Sequence, residues 1–198
     1  MTRPEPTRDQ PDLPLRSAEA GDIVPVYRML CDAVQEAVGD QPELAAFERQ
    51  RFSPPYLDAL RRAHPGHVLV VVNQEGKEAG FIVSAPEQGN MVLYWSYLKP
   101  AFRKGALAAR ALSEYVRFWD HRNYHKIIFF ARTDKPASIA LGRYVGFTEV
   151  AALKAQFFGR DFLLFEKMLD KTEPGFAPGV GVGLRGRLWW RFRQMFGG

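Results

Sequence analysis

The hydrophobic positions of this chain change their spacing several times, and each change predicts a new structural element. Between Asp22 and Gly39 apolar residues recur every three or four positions, which is typical of an amphipathic helix. From His67 to Leu98 they form short continuous or alternating runs. The turn sequences at 74–77 and 87–90 separate these runs, which predicts antiparallel strands joined as hairpins.

The same patterns along the whole chain predict an α/β (α+β) fold. Strands are expected at residues 15–18, 67–73, 78–85, 91–98, 126–131, 148–158 and 161–168. Helices are expected at residues 22–38, 43–52, 54–62, 103–121 and 136–145. Hairpins come first and a strand–helix–strand unit follows, so we expect a mixed, mostly antiparallel sheet of about seven strands, flanked by helices.

The two ends of the chain differ from this central domain, which takes residues 15–170. Residues 1–14 are polar and rich in proline and are expected to be a disordered arm. Residues 171–183 are expected to be a Gly/Pro linker. Residues 184–198 are expected to form a basic amphipathic helix, because apolar side chains share one arc of a helical wheel and arginines occupy most of the rest.

This C-terminal helix has two possible partners. Arginines without any acidic residue, opposite an apolar face, are typical of a helix that lies on anionic lipid. Alternatively, the helix folds back onto the domain or onto a second subunit of a homodimer. The residues expected to contact membrane or partner are Leu184, Leu188, Trp189, Arg191, Phe192, Met195 and Phe196.

Composition narrows the class of protein. The chain has 198 residues, of which 46% are hydrophobic, enough for one domain with a sizeable core. The net charge of +5 is concentrated in residues 99–110 and in the tail, so nucleic acid is not the favoured partner. A single cysteine excludes an internal disulfide, and no apolar run predicts a signal peptide or a membrane span. We therefore expect a cytoplasmic protein, with the tail placing it at the inner face of the cytoplasmic membrane if it binds lipid.

The segment from Leu98 to Leu112 carries the clearest chemical signal. It combines a strand end, a short basic turn of small residues and the start of a long helix. The first N–H groups of a helix have no partner within the helix, and the helix dipole places positive charge there. Small side chains would let a phosphate group approach these N–H groups, and Arg103 and Lys104 add positive charge. The turn is therefore a candidate site for a phosphate-bearing ligand.

Two motifs resemble the GNAT superfamily of acyl-CoA-dependent N-acetyltransferases. Residues 98–108, LKPAFRKGALA, resemble the family pattern V-x-P-x-x-R-x-x-G-x-G/A, with Ala106 in place of the middle glycine. Residues 135–147, KPASIALGRYVGF, resemble N-x-x-A/S-x-x-L-Y-x-x-x-G-F. The resemblance covers about residues 14–169, and it implies a coenzyme A site between the fourth and fifth strands.

The resemblance also implies which residues would hold acetyl-CoA or another acyl-CoA. Backbone N–H groups of the turn would bind the pyrophosphate, and the splayed strands would admit the pantetheine arm. The implied cofactor-binding residues are Leu98, Lys99, Arg103, Lys104, Gly105, Ala106, Leu107, Ala108, Ala109 and Ser138.

The catalytic half of the site departs from the family pattern. The tyrosine that commonly protonates the leaving thiolate is replaced by Gly142, and Tyr144 is about 200° further round the helix. Tyr124 and residues of the fourth strand could contribute instead. We expect Tyr94 and Ser96 to share one face of this strand and Trp95 and Tyr97 the other, and either face could line an acceptor pocket. The alternative role for each tyrosine is packing in the core with a hydrogen-bonded hydroxyl.

Acidic residues that could take a proton from the acceptor lie elsewhere in the sequence. Asp134 ends the fifth strand and is the favoured base, although it could instead cap the helix that follows. Glu36 and Glu78 are the other acidic candidates, and Glu36 is expected to be a solvated surface residue. The candidate catalytic residues are therefore Asp134, Tyr94, Ser96 and Tyr97.

Two functional hypotheses follow. The first is an acetyltransferase that moves an acetyl group from acetyl-CoA to an amine, rather than a hydroxyl, by direct attack. Its acceptor would be a small molecule or, given the tail, a membrane-proximal or lipid-linked envelope or polysaccharide precursor. The alternative is a catalytically degenerate relative that binds coenzyme A or a protein partner, which the missing tyrosine and the absence of a carboxylate in the fourth strand would explain.

Overall fold

One sheet forms the centre of the molecule, and the computed structural model describes it within residues 13–175. Its strand order is β1-β2-β3-β4-β5-β7-β6. Only β4 and β5 pair in parallel among the described strands, which confirms the expected mixed, mostly antiparallel sheet. The strands are β1 Leu15–Ser17, β2 Val68–Val72, β3 Glu78–Glu87, β4 Asn90–Leu98, β5 Lys126–Arg132, β6 Thr148–Phe157 and β7 Arg160–Met168.

The helices agree with the sequence pattern, with one informative difference. They are α1 Ile23–Val38, α2 Pro42–Arg51, α3 Pro54–Ala63, α4 Leu107–Trp119 and α5 Pro136–Tyr144. Helix α4 begins four residues later than the predicted start at residue 103, because residues 103–106 form a separate turn. Within residues 13–175 no helix combines the length and apolar character needed to cross a membrane.

The sheet separates two apolar cores. Helices α1, α2 and α3 cover one face, where Leu30, Phe52 and Phe81 are fully buried. Helices α4 and α5 cover the other face, where Trp119 and Phe165 are buried. Each apolar helix face predicted from the sequence thus has a sheet face to bury against.

A β-bulge at Tyr94 alters the two faces of β4. Val83 of β3 pairs with Trp95, whereas its neighbour Ser84 pairs with Leu93, which leaves Tyr94 unpaired between them. The extra residue shifts the alternation, so Tyr94, Trp95 and Tyr97 all pack against the α1–α3 core. The expectation that Tyr94 shares a face with Ser96 is therefore wrong.

β4 and β5 separate soon after they meet. They pair only at Met91–Ile127 and Val92–Ile128. Beyond these pairs β5 continues against β7 as far as Arg132, while β4 stays with β3. The result is a wedge-shaped opening in the sheet, as expected for the fourth and fifth strands.

The predicted terminal segments lie almost entirely outside the described residues. Of the arm, only residues 13 and 14 are described, and of the linker only residues 171–175. The predicted helix at 184–198, with all seven of its proposed contact residues, lies outside them.

Candidate active site

The turn between β4 and α4 presents its backbone to open space. Residues 103–106 are exposed, and Gly105 has a φ of +98°, a conformation that favours glycine. A Cβ at Gly105 would have no heavy atom within 4 Å. Ala106 is the N-cap of α4 and makes no side-chain capping bond, so the first N–H groups of the helix are left to a ligand or solvent. This geometry fits a pyrophosphate group.

Ala106 itself has an ordinary backbone conformation. Its φ is −89°, which any residue adopts. The alanine at the position of the family's middle glycine therefore leaves the course of the turn unaffected. Residues 107–109, in the first turn of α4, are partly buried, and Lys104 is exposed.

Arg103 does not extend along this turn. Its Nε donates to the carbonyl oxygen of Leu98 at 2.9 Å, and its two terminal nitrogens donate to the carboxylate of Glu36 at 2.5 and 2.6 Å. The guanidinium also lies over the ring of Tyr97, 5.3 Å from its centroid. The Arg103 side chain, which was predicted to contact phosphate, is thus directed towards α1. Glu36 lies at the surface, as expected, and forms an ion pair there. The hydrogen bonds from Arg103 lower the pKa of Glu36.

Asp134 is likewise held by an arginine. Arg132 donates to both carboxylate oxygens of Asp134, at 2.5 and 2.8 Å, and this pairing lowers the pKa of Asp134. The expected capping role is wrong, because Lys135 is the N-cap of α5 and that end has no side-chain cap. A carboxylate with a lowered pKa and a permanent cationic partner is a poor proton acceptor. Ser138 lies exposed in the first turn of α5.

The missing tyrosine at Gly142 has a steric explanation. A Cβ at Gly142 would lie 2.6 Å from Cζ of Phe129. The Phe129 ring is itself stacked on Phe165, with 4.9 Å between ring centroids, and meets the edge of Phe147. The space that a side chain at residue 142 would need is therefore filled by a fixed aromatic cluster. Tyr144 is 79% exposed and does not replace it.

The other tyrosines differ in their distance from the opening. Tyr124 is buried against Trp119 at the start of β5, far along the strand from the opening at the end of β5. The Tyr94 hydroxyl donates to Glu87, and burial raises the pKa of Tyr94. Tyr97 is partly exposed beside Arg103, and burial raises its pKa also. Of the candidate residues on β4, Ser96 is exposed on the opposite side from Tyr97.

Sequence reasoning missed one carboxylate in this region. The indole Nε1 of Trp95 donates to Oε2 of Glu48 at 2.7 Å. Glu48 lies on α2, whose apolar residues show little periodicity. The sequence therefore did not predict which way the Glu48 side chain points. Burial raises the pKa of Glu48. The hydrogen bond from Trp95 and the positive charge of Arg51 act in the opposite direction and reduce this increase.

The comparisons with known proteins agree with this geometry. No curated protein matches the chain. Among solved structures, a ribosomal-protein-alanine N-acetyltransferase from Brucella melitensis is 28% identical, with a TM-score of 0.63 over 78% of this chain and 99% of that one. A spermidine N-acetyltransferase from Vibrio cholerae, solved with CoA and spermine, is 17% identical, with a TM-score of 0.60 over 80% of this chain and 96% of that one. Residues 29–147 match the acetyltransferase (GNAT) family, and the chain therefore belongs to that family of enzymes.

Proposed function

We propose that this enzyme transfers an acetyl group from acetyl-CoA to an amine by direct attack. The observation that carries the proposal is the opening between β4 and β5, which ends at the exposed turn around Gly105. Acetyl-CoA supplies the acetyl group as a thioester. Its pyrophosphate would contact the N–H groups at residues 104–109, and its pantetheine arm would enter the opening.

The protein would contribute two functions to the transfer, stabilisation of the oxyanion and proton donation to the leaving thiolate. Backbone N–H groups of β4 that face the opening supply donors for the oxyanion, because β5 no longer pairs with them beyond Val92. A thiolate is an acceptable leaving group near neutral pH, so the glycine at residue 142 is compatible with turnover. The Tyr97 ring lies beside Arg103 at the turn between β4 and α4, and its hydroxyl would donate a proton to the leaving thiolate.

The acceptor approaches from the side opposite to α4. The turn at residues 103–106 and α4 lie on one face of the sheet, so acetyl-CoA enters from that face. We call the face covered by α1–α3 the acceptor face. Tyr94, Trp95 and Tyr97 line it at the bulge. The neighbours from Brucella and Vibrio acetylate a protein and a polyamine, and both acceptors are amines.

A membrane-proximal or lipid-linked acceptor is supported by the sequence of residues 184–198 alone. Deleting these residues should release the protein from vesicles that contain anionic phospholipid, with neutral vesicles as the control. Unchanged sedimentation of the truncated protein with anionic vesicles would rule out this part of the proposal.

The activity is tested by thiol release from acetyl-CoA with a panel of amines, alongside calorimetric measurement of acetyl-CoA binding. Amine-dependent release of CoA is the expected result. Tight binding without release under any amine would favour the alternative, a degenerate relative, for which the Phe129 ring in the place of the missing tyrosine side chain is the supporting observation. Absence of binding would refute both.

A further inference from the structure

The carboxylate of Glu48 lies where β4 leaves β5. Its partner Trp95 is three residues beyond Val92, the last β4 residue paired with β5, and directly follows the bulge. Trp95 packs on the acceptor face. The 2.7 Å hydrogen bond between the indole and Glu48 therefore fixes a carboxylate beside the opening, on the side from which the acceptor approaches.

Glu48 differs from the other acids of this region in its partner. Glu36 pairs with Arg103, Glu87 with Arg51, and Asp134 with Arg132. Among residues 13–175, no cationic side chain forms an ion pair with Glu48, whose hydrogen-bond donor is a neutral indole. A carboxylate held by a neutral donor keeps its capacity to bind a cation and to accept a proton.

One aromatic ring, the indole of Trp95, contacts Glu48, and a pair of rings lies at the neighbouring position of α2. Phe47, the preceding residue, contacts Phe158 in the turn between β6 and β7, with 5.5 Å between ring centroids. Both rings are about half exposed, so they face solvent at this edge. The nearby cation Arg51 is occupied, because it lies 4.5 Å from the centroid of the Tyr94 ring and bonds Glu87. A carboxylate beside an aromatic ring, with the neighbouring cation already paired, is suited to an ammonium group.

We propose that Glu48 binds the protonated amine of the acceptor and accepts its proton, so that the acceptor is a cationic amine. This inference rests on the proposed acetyl transfer. The ammonium gives one proton to Glu48, and the freed nitrogen bonds to the thioester carbonyl carbon as the carbon–sulfur bond breaks. The departing thiolate takes a proton from the Tyr97 hydroxyl, which takes the second nitrogen proton in its place, and the last nitrogen proton stays on the amide. Glu48 then releases its proton to solvent.

The first experiment compares Glu48→Gln with Glu43→Gln, an exposed acid on the same helix. The glutamine keeps an acceptor for the Trp95 indole and removes only the basic oxygen. With n-butylamine and tyramine as acceptors, Glu48→Gln should lose at least about 100-fold in kcat. It should also lose the acidic limb of the pH profile of kcat/KM, while its Kd for acetyl-CoA stays within about twofold. Glu43→Gln should behave as the parent protein. A kcat within about threefold of the parent would overturn the proposal.

A second experiment is independent of turnover. With ¹³C-labelled glutamate, the Glu48 carboxyl signal is assigned by its absence in Glu48→Gln, and n-butylammonium is added to the CoA complex. The signal should shift on addition, and tetramethylammonium, which has no N–H, should shift it less. An unresponsive signal contradicts the role of Glu48. A responsive signal in a protein that releases no thiol contradicts the proposed acetyl transfer alone.

Discussion

Arg103 and Glu36 join the turn between β4 and α4 to the end of α1 through a two-pronged ion pair, with nitrogen–oxygen distances of 2.5 and 2.6 Å. The two residues are 67 positions apart in the sequence. The contact directs the one arginine of the turn away from the path expected for phosphate. It therefore sets how much positive charge the turn offers to a ligand.

Glu36→Gln should tighten acetyl-CoA binding, by about two- to fivefold at low salt, because it removes a negative charge and frees Arg103 to approach the phosphates. Calorimetry at two salt concentrations measures this, with Glu43→Gln as the matched control. The stability should change by less than about 1 kcal/mol, since the pair is substantially exposed. Weaker binding in Glu36→Gln would instead show that the ion pair holds the turn in shape.

Gly105→Ala and Ala106→Gly should affect acetyl-CoA binding very differently. Gly105 has a φ of +98°, so a side chain there strains the turn even though the space around it is open. We expect a loss of affinity of about tenfold, equivalent to roughly 1.4 kcal/mol. Ala106 has a φ of −89°, and Ala106→Gly should stay within about twofold of the parent. Equal losses in both variants would mean that side-chain volume, not backbone conformation, limits the site.

Gly142→Ala should destabilise the fold by about 1–3 kcal/mol, because its Cβ meets the Phe129 ring at 2.6 Å. Gly142→Tyr should be worse, so the tyrosine of the family pattern cannot simply be restored. Denaturant unfolding of Gly142→Ala, Phe129→Leu and the double variant measures the coupling. If the two destabilisations add without coupling, the two sites do not compete for this space.

The free energy of unfolding should decrease as the pH decreases, because of His67. This side chain is 2% exposed, stacks on Trp119 and has no hydrogen-bond partner at Nδ1 within the described residues. Burial, with a smaller effect of the nearby His64, lowers the pKa of His67 to about 4. The unfolded chain, with a pKa of about 6.5, binds the proton more readily. Its contribution is therefore complete above pH about 6.5 and is lost as pH falls towards about 4.

Urea unfolding at several pH values checks this dependence. The loss attributable to His67 is at most about 3.5 kcal/mol, from a pKa difference of about 2.5. His67→Phe, which keeps a ring against Trp119, should flatten the curve between pH 4 and 6.5. An unchanged slope in that variant would assign the pH dependence to other groups.

The sequence was sufficient for the order of the strands and helices and for the exposed turn between β4 and α4. Both depend on local signals, namely the period of apolar residues and the small residues before α4. The partners of Arg103 and Asp134 were not predictable, because a side chain's ion-pair partner is set by packing between distant segments. Glu48 was missed for the same reason, since α2 lacks a clear apolar stripe and Trp95 lies far along the chain.

The bulge at Tyr94 had no signal in the sequence, since the residue is neither glycine nor proline. It makes β4 one residue longer than the segment of β3 that it pairs with. Deleting Tyr94 would bring Leu93 next to Trp95, and their partners Ser84 and Val83 are already neighbours in β3. Trp95 and Tyr97 would therefore keep the acceptor face, and Ser96 and Leu98 the opposite face. The strand can thus lose this one residue without exchanging its faces, whereas losing a paired neighbour of the bulge would shift the partners of all residues beyond it.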